Sequence, residues 1–590
     1  MRFYSVLLLL LLFACGNDPV STEATAPATA NEYLTDLLEE YYEMRLELNP
    51  LEATFIGDNR YNDQLPNALT KAYKNQTIAF YQGTLDELKA IDRSSLSPSE
   101  QVSFDVLKWE CDINLEGLAF RTELLPLDQF SGFHLMIGQL ASGQSAQPFV
   151  TIEDYDNWLA RLESFNAMLD TAVVNMNRGI QAGYVLPQSL TDKLLPQLEA
   201  MTREPLEDHL YYGPVLTMSD EISPVDQNRI KADYGKMVAR LIDRFRRVAA
   251  YVNDEYRPAS RSSSGISDIP NGTAYYNHLI KLYTTTNMTA DEIHQLGLKE
   301  VARLTSEMEK VKTQVGFEGD LKQFFDEVRV KPALRPFTKP EEVIANFNAI
   351  HEKMKPQLGR LFDQVPETPF EVRRTEAFRE ASASAEYNPG SQDGTRPGVF
   401  YVPIPDVEAY NIFSDEDLFL HEAIPGHHYQ VSLTQENEDL PDFRRSLWYS
   451  AYGEGWALYC ESLGEELGLY DDPYQYFGML SAEMHRAIRL VVDTGIHSKG
   501  WSREKAIQYS LDHEAESAAS ITAEIERYMA IPGQALSYKI GQLKIRELRE
   551  KAETQMGDEF EIKEFHNLVL SPGCVPLAVL ETMVWEWMEQ

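Results

Sequence analysis

A chain of 590 residues, 43% hydrophobic and 25% charged, is long enough for a large core and for more than one domain. Its 92 acidic residues against 53 basic ones leave a net charge of −39. That balance excludes nucleic acid as a partner, because nothing neutralises phosphates, and it disfavours an anionic membrane surface. The excess reads as a heavily solvated acidic surface.

The first fifteen residues read as a targeting segment. Arg2 supplies a positive start, and residues 6–13 form an apolar run too short to span a bilayer. The run ends in Leu12, Phe13, Ala14, Cys15 and Gly16, which resembles a bacterial lipoprotein signal. In such a signal the Cys is lipidated and becomes the new N-terminus; the alternative is an ordinary signal peptide with an incidental Cys. Gly16 after Cys15, with no Asp there, leans towards sorting to the outer membrane, facing the periplasm. Membrane contact is then expected only through the lipid on Cys15. Residues 16–30, rich in Ser, Thr, Ala and Pro, read as a flexible tether. Beyond Cys15 only Cys111, Cys460 and Cys574 remain, enough for one disulfide at most. With no Cys-x-x-Cys, a thiolate metal site is not expected.

From residue 31 the apolar spacing is helical, most clearly near 33–42, 78–92, 153–180 and 226–252. A polar, turn-rich stretch at 258–272 divides an N-terminal helical region (31–258) from a C-terminal one (273–590), or is a surface loop within one continuous domain. Thr289 and Glu292 predict a capping box, and another helix is predicted near 340–363. Residues 387–394 read as loop, then 399–402 as a short strand ended by Pro403 and Pro405. Prolines there fit an edge strand, either open to an extended peptide or covered by packing. After Ser414 helical patterns dominate to the end, so the expected fold class is mainly α, with a small sheet beside the helix that starts at Ser414.

Ser414 predicts a helix start, with Asp417 at the box position, and the helix runs into His421 and Glu422. The next residues are almost the zinc-peptidase pattern His-Glu-x-x-His, but Pro425 holds the last position and His427 and His428 arrive later. Pro425 removes a backbone donor and Gly426 loosens the chain, so the helix must break. On an unbroken helix His427 would turn roughly 600° from His421, leaving its face. His428 would lie about 10 Å along the axis, too far to share an ion. A break at Pro425-Gly426 restores one of them to the metal: His427 by preference, His428 as the alternative. Downstream, Glu454 and Glu461 lie seven apart on one helical face and offer a third ligand.

Four stretches carry a resemblance: His421, Glu422, Pro425, Gly426, His427, His428 and Gln430; Glu454 to Glu461; Arg489 to His497; and Pro532 to Gly541. In this order they resemble the large bacterial family called domain of unknown function 885, over essentially all of residues 31–590. That family is placed among gluzincin-like zinc peptidases, distantly similar to the thimet oligopeptidase and carboxypeptidase Taq groups. The resemblance implies a large helical zinc-peptidase-like fold with a deep central cleft. It implies Glu454 as the third zinc ligand and Glu461 as a carboxylate behind the ligands. It also implies oxyanion donors from a downstream helix, for which Tyr538, Tyr528 and His497 are the candidates. Gln534 and Lys539 stand near Tyr538 as substrate-binding candidates. Asp493 either orients His497 or pairs with Arg489, and Arg396 is a candidate clamp for a substrate carboxylate.

Two His and one Glu on zinc leave a position open for water, with Glu422 as general base. The expected function is a zinc-dependent peptidase acting on peptides or oligopeptides. The alternatives are a helical peptide-binding or scaffold lipoprotein with a vestigial metal site, and a zinc hydrolase of another amide. A binding module has no need of a general base at Glu422.

Overall fold

The computed structural model describes residues 30–589, apart from 144, 204, 377–379, 381–382 and 392–395. The signal segment, Cys15 and the tether up to residue 29 lie outside the described residues, as does part of the 387–394 loop. The fold is mainly α, with one three-stranded sheet among the described residues.

Long helices form where apolar periodicity and terminal chemistry agree. Helix Ile152–Ala182 starts at a Thr151–Asp154 capping box and ends at Gly183, whose φ of 77° only glycine adopts freely. Helix Ala290–Gln314 starts at the Thr289–Glu292 box expected from sequence, with Thr289 N donating to Glu292 Oε2 at 2.8 Å. Helix Asp415–Glu422 departs from expectation: Ser414 precedes it without capping through its side chain. Its first-turn carboxylates are buried and serve tertiary partners. Asp415 accepts from Tyr410 and Asn346, and Glu416 from the backbone of Tyr470 and from Lys353. Asp417 turns towards Glu461 instead of capping the helix.

Buried side chains form two clusters. One centres on helices Ile152–Ala182 and Pro224–Tyr251, around Trp158, Phe165, Tyr234 and Phe245. The other gathers most apolar residues from 34 to 124 with those from 266 to 588. Segment 258–272 is where the chain passes between them, while the first hundred residues pack with the C-terminal helices.

The sheet holds β1 (Phe370–Arg374), β2 (Glu386–Asn388) and β3 (Gly398–Val402) in the order β1-β3-β2. β3 is therefore the central strand, not the expected edge; it pairs parallel to β1 and antiparallel to β2. Pro403 and Pro405 end it without exposing it, because both sides of its backbone ladder are already paired. Helices Ser450–Glu461 and Ser537–Met556 touch backbone to backbone at Gly455 and Gly541, where a Cβ on Gly541 would overlap the Ala451 carbonyl oxygen. This crossing brings the turn that carries Tyr538 alongside Glu454.

Candidate metal centre

Helix Asp415–Glu422 ends at the general-base candidate, and a new helix, His427–Glu436, begins five residues on. Between them Ala423 takes ψ −108°, Ile424–Pro425 is a cis peptide and Gly426 takes ψ −123°. A Cβ on Gly426 would overlap the His421 carbonyl oxygen, so the tight reversal requires glycine. Trp456 Nε1 donates to the Pro425 carbonyl at 3.0 Å, pinning the break to helix Ser450–Glu461.

The reversal turns His427 back to His421. Their rings stand perpendicular with centroids 4.9 Å apart, and both Nε2 atoms lie 3.6 Å from the same Glu454 oxygen. Ligand atoms of His421, His427 and Glu454 all fall within 4.8 Å of one another. Tetrahedral zinc with nitrogen ligands at about 2.0–2.1 Å sets neighbouring ligand atoms about 3.3 Å apart, so the spacing suits one ion. His421 Nδ1 lies 2.7 Å from Glu461 Oε1, which fixes its proton there and leaves Nε2 aimed at the cluster. His428 faces the opposite way. Its Nδ1 meets Tyr387 and Ser432 at 3.0 and 3.3 Å, its ring packs on Phe370, and burial pushes its pKa down to about 4.

The charges suit a cation. Burial opposes a proton on His421, but Glu454 and Glu461 outweigh it and raise the pKa to about 10. Burial likewise opposes charge on Glu454, yet the two imidazoles hold its carboxyl far below the usual range. Burial raises Glu422, while His421, His427 and Arg486 draw it back down. Asp417 is pushed well up by burial and by the adjacent charge of Glu461, as two touching buried carboxyls must be. The carboxyl groups of Glu454, Glu461, Glu422 and Asp417 thus concentrate negative charge around two imidazoles, a balance that suits a divalent ion.

The oxyanion candidates divide. Tyr538 has its ring 4.6 Å from the Arg489 guanidinium, and burial followed by the charge of Glu454 raises its pKa. Gln534 neighbours that hydroxyl and accepts from Arg527 at 2.9 Å. Tyr528 is engaged, accepting from Arg489 Nε at 2.9 Å and donating to Glu524 at 2.7 Å. His497 is fully buried, and both its ring nitrogens are taken by backbone: Nδ1 accepts from Ile266 N and Nε2 donates to Tyr528 O, each at 3.0 Å. Burial lowers it to about 3, so it serves as a neutral strut with no nitrogen left for a substrate.

Asp493 meets neither His497 nor Arg489. It accepts from Tyr276 at 2.5 Å and from Gly533 N, anchoring the loop before Tyr538. Lys539 is fully buried and bound to Glu483 at 2.5 Å, Gln542 at 2.7 Å and Glu300 at 3.2 Å, so its three donors are all taken. Arg396 is exposed on the loop before β3, its backbone bonded to Ser391, and is not brought to the cluster. Among the described residues Cys111, Cys460 and Cys574 are free and buried.

Four further residues neighbour the site: Arg486 and Trp448 lie outside the motif stretches, while Arg489 and Asp417 were expected in other roles. Arg489 bonds Tyr528, His485 and Glu524, and Arg486 stands one turn earlier on the same helix, Pro473–Ser498. Trp448, 48% exposed, lies 6.0 Å from the His427 ring, and Asp417 backs Glu461. The helical spacing of His485 and Arg489 beside Arg486 was the one available signal.

Residues 50–584 match the family described as Bacterial protein of unknown function (DUF885). A crystal structure of a provisionally assigned lipoprotein from Colwellia psychrerythraea is 27% identical with a TM-score of 0.85, covering 95% of this chain and 99% of that one. A provisionally assigned lipoprotein of unknown function from Shewanella oneidensis is 20% identical with a TM-score of 0.76, covering 95% of this chain and 100% of its own. No curated protein sequence matches. Among the described residues no helix is long and apolar enough to cross a membrane.

Proposed function

The chain belongs to the bacterial family of unknown function DUF885, and for this member we propose a zinc-dependent peptidase, tethered through lipidated Cys15 to the outer membrane and facing the periplasm. The observation that carries the reading is the convergence of His421, His427 and Glu454 within 4.8 Å, with Glu422 adjoining in sequence and in charge. These three residues would hold the ion. When bound, zinc supplies a Lewis acid that acidifies water and polarises a carbonyl.

The protein's own groups do the rest. Glu461 holds His421 in the tautomer that presents Nε2. Glu422 takes the proton from the attacking water and delivers it to the leaving amine; its burial, which raises its pKa, favours that exchange near neutral pH. Tyr538, backed by the Arg489 guanidinium, donates to the oxygen that becomes negative. A half-buried general base beside the ligands favours this reading over a scaffold.

Metal analysis of the purified protein, with assays on mixed peptides for wild type and Glu422→Gln, tests it. One equivalent of zinc with cleavage that is abolished by a chelator and by Glu422→Gln is the expected result. Protein that binds no zinc, or cleavage indifferent to Glu422, overturns it.

A further inference from the structure

Two of the seven tryptophans are exposed, Trp448 and Trp585. Trp585 is covered in part by a cation, with Lys551 Nζ 5.3 Å from its ring centre. Trp448 stands instead at the candidate metal centre, its ring 6.0 Å from that of His427. The backbone holds it outward. Leu447 and Tyr449 on either side are buried, and Tyr449 is anchored twice: its backbone N–H donates to Cys574 Sγ at 3.1 Å and its hydroxyl to Glu110 at 2.8 Å. The six-membered edge of the indole lies on Gly453, where a Cβ would overlap it. Gly453 directly precedes Glu454 on helix Ser450–Glu461, so the indole is seated on the helical turn that carries this ligand. Side-chain exposure among the three ligands rises from 5% at His421 to 11% at His427 and 17% at Glu454. Solvent therefore reaches the centre on the side of His427 and Glu454, the two residues that Trp448 adjoins.

We propose that Trp448 is the platform for a large apolar side chain, aromatic above all, on the peptide residue that borders the cleaved bond. The inference rests on the peptidase reading and narrows its substrates to peptides that carry such a residue. Consecutive Cα atoms are about 3.8 Å apart, so an indole centred 6.0 Å from a ligand ring lies within reach of the residue next to the reacting amide. A side chain laid on the indole removes apolar surface of both from water, and an aromatic ring adds a stacking attraction that a methyl group lacks. The anchored backbone leaves the platform little conformational freedom to lose when it is covered.

The test is calorimetric binding of Ala-Ala-Phe-Ala-Ala and of penta-alanine to the full chain carrying Glu422→Gln, supplied with zinc, beside mapping of the bonds that the wild type cuts in mixed peptides. The Phe peptide should bind about ten-fold or more tightly than penta-alanine, and the cut bonds should carry Phe, Tyr, Trp, Leu or Met at one flanking position. Adding Trp448→Ala should bring the two affinities within about two-fold and level the preference beside the cut bond, in protein that still takes up one zinc. Trp448→Phe should keep much of the preference, and Trp585→Ala all of it. Equal binding of the two peptides, binding of neither, or a preference that survives Trp448→Ala or vanishes in Trp585→Ala overturns the inference. Loss of zinc from Trp448→Ala and Trp448→Phe alike would make the indole a support for His427 and overturn it too. Wild-type cleavage with no apolar preference beside the cut bond would sink it while leaving the peptidase intact. A Phe preference in binding that Trp448→Ala removes, without any cleavage by the wild type, would sink the peptidase and leave the apolar subsite.

Discussion

Replacing Glu461 by Gln isolates the carboxylate that backs His421. Glu461 is 1% exposed and its Oε1 lies 2.7 Å from His421 Nδ1, so no water takes over the bond when the charge is removed. Carboxylates in this position affect metal affinity by about ten- to hundred-fold, or about 1.4 to 2.7 kcal/mol. Gln keeps the volume and an amide oxygen that accepts from Nδ1, so the ring should hold its direction while losing the negative charge that enriches Nε2. The loss should therefore sit at the lower end, about ten-fold, for Glu461→Gln. Glu461→Ala also leaves Nδ1 unpaired and opens a void, and should approach the upper end of about hundred-fold. Titration of zinc against a competing chelator near neutral pH measures both, with circular dichroism checking the fold. Zinc affinity within about two-fold of wild type in both variants would refute the argument that Glu461 orients and charges a ligand.

The two imidazoles make opposite predictions: His427→Ala should abolish stoichiometric zinc, and His428→Ala should keep it while lowering thermal stability through lost packing on Phe370. Elemental analysis with a melting curve decides, and a metal-free His428→Ala protein would reverse the assignment. The metal-free protein should also lose stability as pH rises. His421 is raised from 6.5 to about 10, so its contribution is full below about pH 6.5, shrinks above that and is gone above about 10. Apparent zinc affinity should climb over the same range, because the ion displaces that proton; chelator competition independent of pH would contradict the pairing. Gly541→Ala should destabilise the protein by at least about 1–3 kcal/mol, since the helices at Gly455 and Ala451 must separate. Denaturant midpoints unchanged by that substitution would show that the crossing is looser than its geometry.

Much of the helical fold was legible because its signals are local. The Thr289–Glu292 box and the apolar spacing of 153–180 depend on neighbours a few residues away, and both reappear as helices with those caps or cores. The Ser414–Asp417 box failed for a non-local reason: a buried helix start spends its carboxylates on Tyr410, Asn346, Tyr470 and Lys353, all from other segments. The edge strand failed similarly, since prolines report where β3 stops and nothing about which strands flank it. His497, Asp493 and Lys539 sit in stretches that resemble family motifs, yet their partners are structural, a distinction that only burial and bonding make.

The sequence by itself determined that the helix through His421 must break, because a proline without a donor and a flexible glycine follow where a second ligand belongs. It also determined that Glu454 and Glu461 share a helical face, because seven residues make close to two turns. The tertiary structure decided which imidazole comes back. The angle of the reversal at Gly426, fixed by the Trp456 bond to Pro425, aims His427 at Glu454 and sends His428 into the packing beside β3. Periodicity specifies a face, but the direction of a chain after a break is set by what packs against it.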